Sequence, residues 1–139
     1  MQEVYEYIQV CDNILIASPI YFSELTGKLL DLGSRLQTYF CASFFRNKST
    51  ILKGKRGAVI IVGGGDGNVT KPYETACTLL HHMNAYDIFP VVYSHNTNRI
   101  PAAEDKEAVE GAKKISFFFN QGNGIFGSKR VAELEVIKR

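Results

Sequence analysis

Three short apolar runs without polar alternation punctuate the chain: Ile14-Leu15-Ile16-Ala17, Gly57-Ala58-Val59-Ile60-Ile61-Val62, and Ile88 to Tyr93. Runs of this length predict strands buried on both faces, the first over about 13–18. Pro19 ends that strand, because proline has no N–H to donate and a fixed φ. Pro90 interrupts the third run, which predicts a sheet edge or a bulge there. Between the runs the period changes to that of a helix. Val4, Tyr5, Ile8 and Cys11 predict a helix over 2–10, and Leu25, Leu29, Leu32, Leu36, Tyr39 and Phe40 predict one over about 25–40. A third runs from about Lys71 or Pro72 to Ala85, with Thr70 as its cap and Pro72 in its first turn. A fourth covers about Glu104–Phe119. The mixed segment 41–54, with Phe44, Phe45, Arg46, Asn47, Lys48 and Lys53, predicts an irregular connection closed by Gly54.

A helix followed by three strand–helix units predicts an α/β domain with parallel strands, right-handed crossovers and helices on both faces. In open sheets of this kind, ligands bind at the carboxyl ends of the strands. Two loops fall there. Ser18-Pro19-Ile20-Tyr21-Phe22-Ser23 offers aromatic faces, hydroxyls and free backbone amides, which suit a flat ligand. Gly63-Gly64-Gly65-Asp66-Gly67-Asn68 offers amides for an anion or for close approach to a flat ring. The competing readings are a plain strand-to-helix turn for the first and a flexible connection for the second.

Ser18-Pro19-Ile20-Tyr21-Phe22, with Gly27 and the amphipathic helix ending near Arg35, resembles the flavin-ring loop of the NADPH-dependent FMN reductase family. The likeness is closest to the branch that includes the iron–sulfur flavoproteins, and it runs from about Met1 to Phe119. It implies a three-layer, flavodoxin-like parallel sheet that is N-terminally incomplete, holding strands three to five of the family order. The family's phosphate-cradling first loop, and the branch's cluster cysteines, would precede Met1. The chain then divides into a partial flavodoxin-like domain, 1–120, and a tail, 121–139. By the same resemblance the function is that of an FMN-dependent NAD(P)H oxidoreductase. Ser18, Pro19, Tyr21, Phe22, Ser23, Gly63, Gly64 and Gly65 would contact the flavin, NAD(P)H and an electron acceptor would be partners, and no protein side chain need act as catalyst or metal ligand. Ser34 stands where the family carries an acidic residue before Arg35. The alternative is a truncated, non-catalytic oligomerising remnant that binds no flavin; a third reading is a binding module for another planar ligand. A strand 13–18 left at the sheet edge predicts a homo-oligomer that covers it, through residues 125–139.

Composition narrows the partners. The chain has 139 residues, a single domain by length. A net charge of +2, with no basic run longer than two residues, argues against nucleic acid. No apolar stretch approaches the roughly 18 residues of a membrane span. The amino terminus lacks the charged and apolar regions of a signal peptide, which predicts a cytoplasmic location. Cys11, Cys41 and Cys77 are too widely spaced for a metal motif and are expected to be reduced structural thiols. Gly122-x-Gly124-x-x-Gly127 matches a dinucleotide fingerprint by letter, but it follows a helix rather than a strand and is rejected. His81 and His82 are neighbours on a helix and point about 100° apart, so they cannot chelate together. His95, following the third strand, is a candidate for ring contact.

Overall fold

The computed structural model describes residues 2–46 and 53–121. Along the chain run α1 (Gln2–Val10), β1 (Asn13–Pro19), α2 (Gly27–Arg46), β2 (Lys55–Val62), α3 (Thr70–His82), β3 (Ala85–Ile88), β4 (Val92–Ser94) and α4 (Lys106–Asn120). The strands are parallel: β1 pairs with β2, and β3 and β4 both pair with β2 on its other side.

Alternation along β2 divides the core into two layers. Val59 and Ile61 face a cluster with Ile8 of α1, Leu36 and Tyr39 of α2, and Ala76, Leu79 and Leu80 of α3. Ala58 and Ile60 face a smaller cluster with Ala108 and Ile115 of α4. The architecture is therefore the parallel α/β sheet with helices on both faces that the element order predicts, in the three-layer, flavodoxin-like form that the resemblance implies. Tyr5 and Tyr39 lock α1 to α2 through an edge-to-face ring pair, with centroids 5.3 Å apart. Their hydroxyls donate to carbonyls on the opposite helix, Tyr5 to Arg35 and Tyr39 to Tyr5.

Four expectations change in the tertiary structure. β2 is largely buried, but β1 is covered on one face alone: Ile16 and Ser18 are buried while Leu15 and Ala17 are exposed. The reason is that α4 lies over β4 and β2 and leaves the β1 side of its face open. α2 starts at Gly27 and continues through Arg46, so residues 41–46 are helical rather than irregular. No glycine or proline stands between Gly33 and Gly54 to stop the helix at Phe40. The third run becomes two strands, because Pro90 breaks the ladder; Phe89 N–H still reaches the Gly57 carbonyl at 2.9 Å before the register resumes at Val92. Thr70 opens α3 but does not cap it. Asn68 Oδ1 accepts from Thr70 N–H at 2.8 Å, a short side chain reaching two residues along the backbone. The Phe40 side chain, Asn47, Lys48, the 122–127 glycines and the rest of the tail lie outside the described residues.

Among the described residues, β1 is an edge strand. Ile20 N–H donates to the Val62 carbonyl at 2.9 Å, continuing the ladder in which even-numbered β1 residues donate to β2. The amides of Leu15 and Ala17 therefore face away from the sheet. Pro19 has the same parity, so its missing N–H costs the ladder nothing.

Candidate functional site

Three loops meet at the carboxyl end of the sheet: 20–26 after β1, 63–69 after β2, and 95–105 after β4. In the first, Tyr21 and Glu24 exchange two backbone hydrogen bonds of 2.9 and 3.0 Å. Phe22 and Ser23 between them have φ of 49° and 61°. Two central residues at positive φ between paired neighbours make the geometry of a type I′ turn. Such turns favour Asn and Gly; a phenylalanine held in this region costs on the order of 1–3 kcal/mol. The turn presents Phe22 fully exposed at its tip, with Tyr21 largely exposed beside it.

The base of the loop is tied down. Ser18 is buried, its hydroxyl donating to the Pro19 carbonyl at 2.8 Å and accepting from Thr26 N–H at 3.2 Å. Glu24 anchors the turn to α3: its carboxylate accepts from the Thr75 hydroxyl at 3.2 Å and lies 3.6 Å from Lys71 Nζ. The sequence-predicted residues thus divide. Pro19, Tyr21, Phe22 and Ser23 are exposed at the ligand-binding edge, whereas Ser18 braces the loop from beneath.

The glycine loop divides in the same way. Gly63 is buried, its N–H donates to the Ser94 carbonyl at 2.8 Å, and its carbonyl accepts from both Thr97 N–H and the Thr97 hydroxyl at 3.2 Å. A Cβ at Gly63 would stand 2.8 Å from the Tyr93 hydroxyl, so a larger residue there would push that hydroxyl aside. Gly64 and Gly65 are exposed, and their amides have no protein acceptor among the described residues. No glycine there has positive φ, so the left-handed alternation of an anion nest is absent.

The third loop supplies braces that the sequence pattern did not single out. Tyr93 donates to the Gly67 carbonyl at 3.0 Å, and its ring lies 5.5 Å from that of His95. Partial burial and the Asp66 carboxylate push the Tyr93 phenol up from its ordinary value. Asp105 caps α4, accepting from Ala108 N–H at 3.1 Å and from the buried Ser94 hydroxyl at 2.8 Å. These bonds, led by that from Ala108, hold its carboxyl below the usual range. An acidic residue just before a helical period is a legible cap signal; the tie from Ser94 needs the fold. Away from this edge, Cys11 is a free thiol pushed up by burial. His81 stacks on Tyr86 at 5.0 Å and is pushed down, chiefly by burial. No group of three or more metal-ligating side chains occurs among the described residues.

The model of the NADPH-dependent FMN reductase family matches residues 1–99. The chain belongs to that family. An iron–sulfur flavoprotein of Archaeoglobus fulgidus is 28% identical over 115 residues, covering 83% of this chain and 48% of that protein. One from Methanosarcina thermophila is 30% identical, over 58% of this chain and 40% of its own length. The chain thus spans about half the length, or less, of these relatives. An apo NADH:FMN oxidoreductase superposes with a TM-score of 0.62 at 16% identity, over 88% of this chain and 61% of that one. An NADPH-quinone reductase from P. pentosaceus gives 0.59 at 13% identity, over 81% and 72%. At such identities the superpositions establish the fold alone. No helix among the described residues is long and apolar enough to cross a membrane.

Proposed function

We propose that the carboxyl edge of this sheet is a docking site for the isoalloxazine ring of FMN, and that the chain takes part in electron transfer from a nicotinamide nucleotide through that flavin to an acceptor. The observation that carries this reading is the strained turn. Phe22 is kept in an unfavourable backbone region by Tyr21–Glu24 pairing and by Glu24's ties to α3, yet its side chain buries nothing within the chain. Strain maintained at an exposed tip belongs with a bound partner rather than with folding stability.

The exposed residues suit the ring. Tyr21 and Phe22 offer apolar faces, the Ser23 hydroxyl is exposed, and the Gly64 and Gly65 amides are donors without protein acceptors. Ser18 and Gly63 take a positioning role in this reading, since their polar groups already bond within the loops. The flavin, when bound, supplies the hydride and electron chemistry, and the chain orients the ring and limits water around it. The start of α4 already carries the Asp105 carboxylate, and Asn68 occupies the first free amide of α3.

Titration of the 139-residue chain with FMN, followed by flavin fluorescence and visible absorbance, tests the proposal. Micromolar binding that weakens about tenfold in Phe22→Ala is the expected result. Absence of binding at about 100 μM, roughly −5.5 kcal/mol, would overturn it and favour the non-catalytic remnant.

A further inference from the structure

Asp66-Gly67, in the loop between β2 and α3, is the one Asp-Gly pair in the chain. Both residues are exposed and lie outside helix and strand. Among the described residues the Asp66 carboxylate accepts no hydrogen bond and forms no ion pair, and the Gly67 amide has no acceptor. A Cβ at Gly67 would meet nothing within 4 Å, so the space beside this peptide is open. Its tie to the fold is at the Gly67 carbonyl, which accepts from the Tyr93 hydroxyl at 3.0 Å. The remaining aspartates are held. Asp12 lies 2.6 Å from Lys53 Nζ and Asp87 lies 3.5 Å from Arg56 Nε. Asp105 accepts from Ala108 N–H and from the Ser94 hydroxyl, and Asp31 stands inside α2. Each of these is followed by a residue with a side chain: Asn13, Ile88, Lys106 and Leu32.

We propose that Asp66 is a modification site, at which the folded chain converts aspartate to isoaspartate without an enzyme. The Gly67 nitrogen attacks Asp66 Cγ, so an N–Cγ bond forms and a Cγ–O bond breaks. The carboxyl oxygen leaves as water with the amide proton, and a five-membered succinimide remains. Water then opens the ring at either carbonyl. Opening at Cγ returns aspartate. Opening at the backbone carbonyl breaks the old peptide bond, leaves Gly67 joined to Cγ and creates a new α-carboxylate. One water leaves and one enters, so no oxidant, reductant or further reactant is needed.

Three features of the loop favour the reaction. Nucleophile and carboxyl are held in one short stretch of chain, which replaces an encounter by a rotation. Glycine at the attacking position presents no Cβ to the approaching carboxyl and allows the backbone a wide range of rotation. No hydrogen bond or ion pair among the described residues has to break at the Asp66 carboxylate or the Gly67 amide first. The product carries one extra methylene in the backbone, a bond of about 1.5 Å. That extension falls between Gly63, fixed by Ser94 and Thr97, and Asn68, whose side chain holds Thr70 N–H. It therefore displaces the Gly67 carbonyl from Tyr93. The proposal rests on the loop alone and does not depend on a bound flavin.

Incubation of the full chain under warm, mildly acidic conditions, followed by digestion with an endoproteinase that cuts before aspartate but not before isoaspartate, tests this. A synthetic peptide of residues 60–71 is incubated alongside. The expected result is progressive loss of the cut before Asp66, with the cuts before Asp12, Asp31, Asp87 and Asp105 retained. The mass is unchanged in ordinary water, and one oxygen atom is taken up from isotopically labelled water. Gly67→Ala, for which the fold has room, should slow the loss about tenfold, or about 1.4 kcal/mol on the activation barrier. Retention of the Asp66 cut in the folded chain after the peptide has lost its own would show that the fold shields this bond, and would overturn the proposal. So would a rate of loss in Gly67→Ala equal to that of the parent.

Discussion

Replacing Phe22 with asparagine and Ser23 with glycine puts the residues preferred in a type I′ turn where φ is 49° and 61°. Relief of left-handed strain at two non-glycine positions contributes about 1–2 kcal/mol each at most. Glycine's extra freedom in the unfolded chain offsets about 0.5–1 kcal/mol of that. No burial term opposes the gain, because Phe22 is fully exposed and Ser23 exposed. The double variant should therefore be more stable than the parent by about 1–2 kcal/mol, roughly a 3–7 °C rise in Tm for a domain of this size. Urea denaturation of both chains, followed by far-UV circular dichroism, measures the difference, and FMN titration of the same samples measures ligand affinity. Higher stability with weaker flavin binding is the expected pair of results. A loss of more than about 1 kcal/mol would show that Phe22 packs against the fold and would refute the strain argument; unchanged FMN affinity would remove Phe22 from the ring site.

Arg56 is nearly buried, bonded to the last carbonyls of α4, 3.5 Å from Asp87 and 5.3 Å from the Phe118 ring centroid. Arg56→Ala should cost about 2–4 kcal/mol in chemical denaturation, and Arg56→Lys should recover little of it, since a point charge cannot reproduce the planar fork. Gly63→Ala should displace Tyr93 from Gly67 and cost about 1–3 kcal/mol, with the Tyr93 phenol titration shifting back toward its ordinary value in ultraviolet absorbance. Asp105 has a folded-state pKa below its unfolded one, so its contribution is present above the unfolded value and is lost as pH falls through the folded one. Asp105→Asn, which keeps an acceptor for Ala108 N–H, should flatten the acid limb of the stability profile below about pH 4.

Much of the scaffold is visible in local chemistry. The runs at 14–17 and 57–62 are legible as strands because they are short, rich in β-branched residues and closed by Pro19 and by Gly63-Gly64-Gly65, and Pro90 breaks the third run wherever it is placed. The helix boundaries were less legible. α2 runs to Arg46 because nothing in 41–46 breaks a helix, although the mixture of aromatics and charges there resembles a connection. In the site, Tyr21 and Phe22 announce themselves as aromatics beside a strand-ending proline. The bracing partners do not: Glu24 reaches Thr75, and Ser94 reaches Asp105, across separations in sequence that no local pattern encodes.

By itself, the sequence determines the alternation of strands and helices, the two loops that carry candidate chemistry, and the family to which that loop chemistry points. Tertiary structure decides which groups remain available. A hydroxyl or amide is available to a ligand only if no nearer partner claims it, and the fold assigns Ser18 to Pro19 and Thr26 and Gly63 to Ser94 while leaving Gly64 and Gly65 open. It also decides exposure. β1 and β2 read alike as apolar runs, yet among the described residues β2 has a strand on each side whereas β1 has one, and the Leu15 and Ala17 side chains lie on a face that no described helix covers, because burial depends on what stands opposite a side chain and not on the side chain alone.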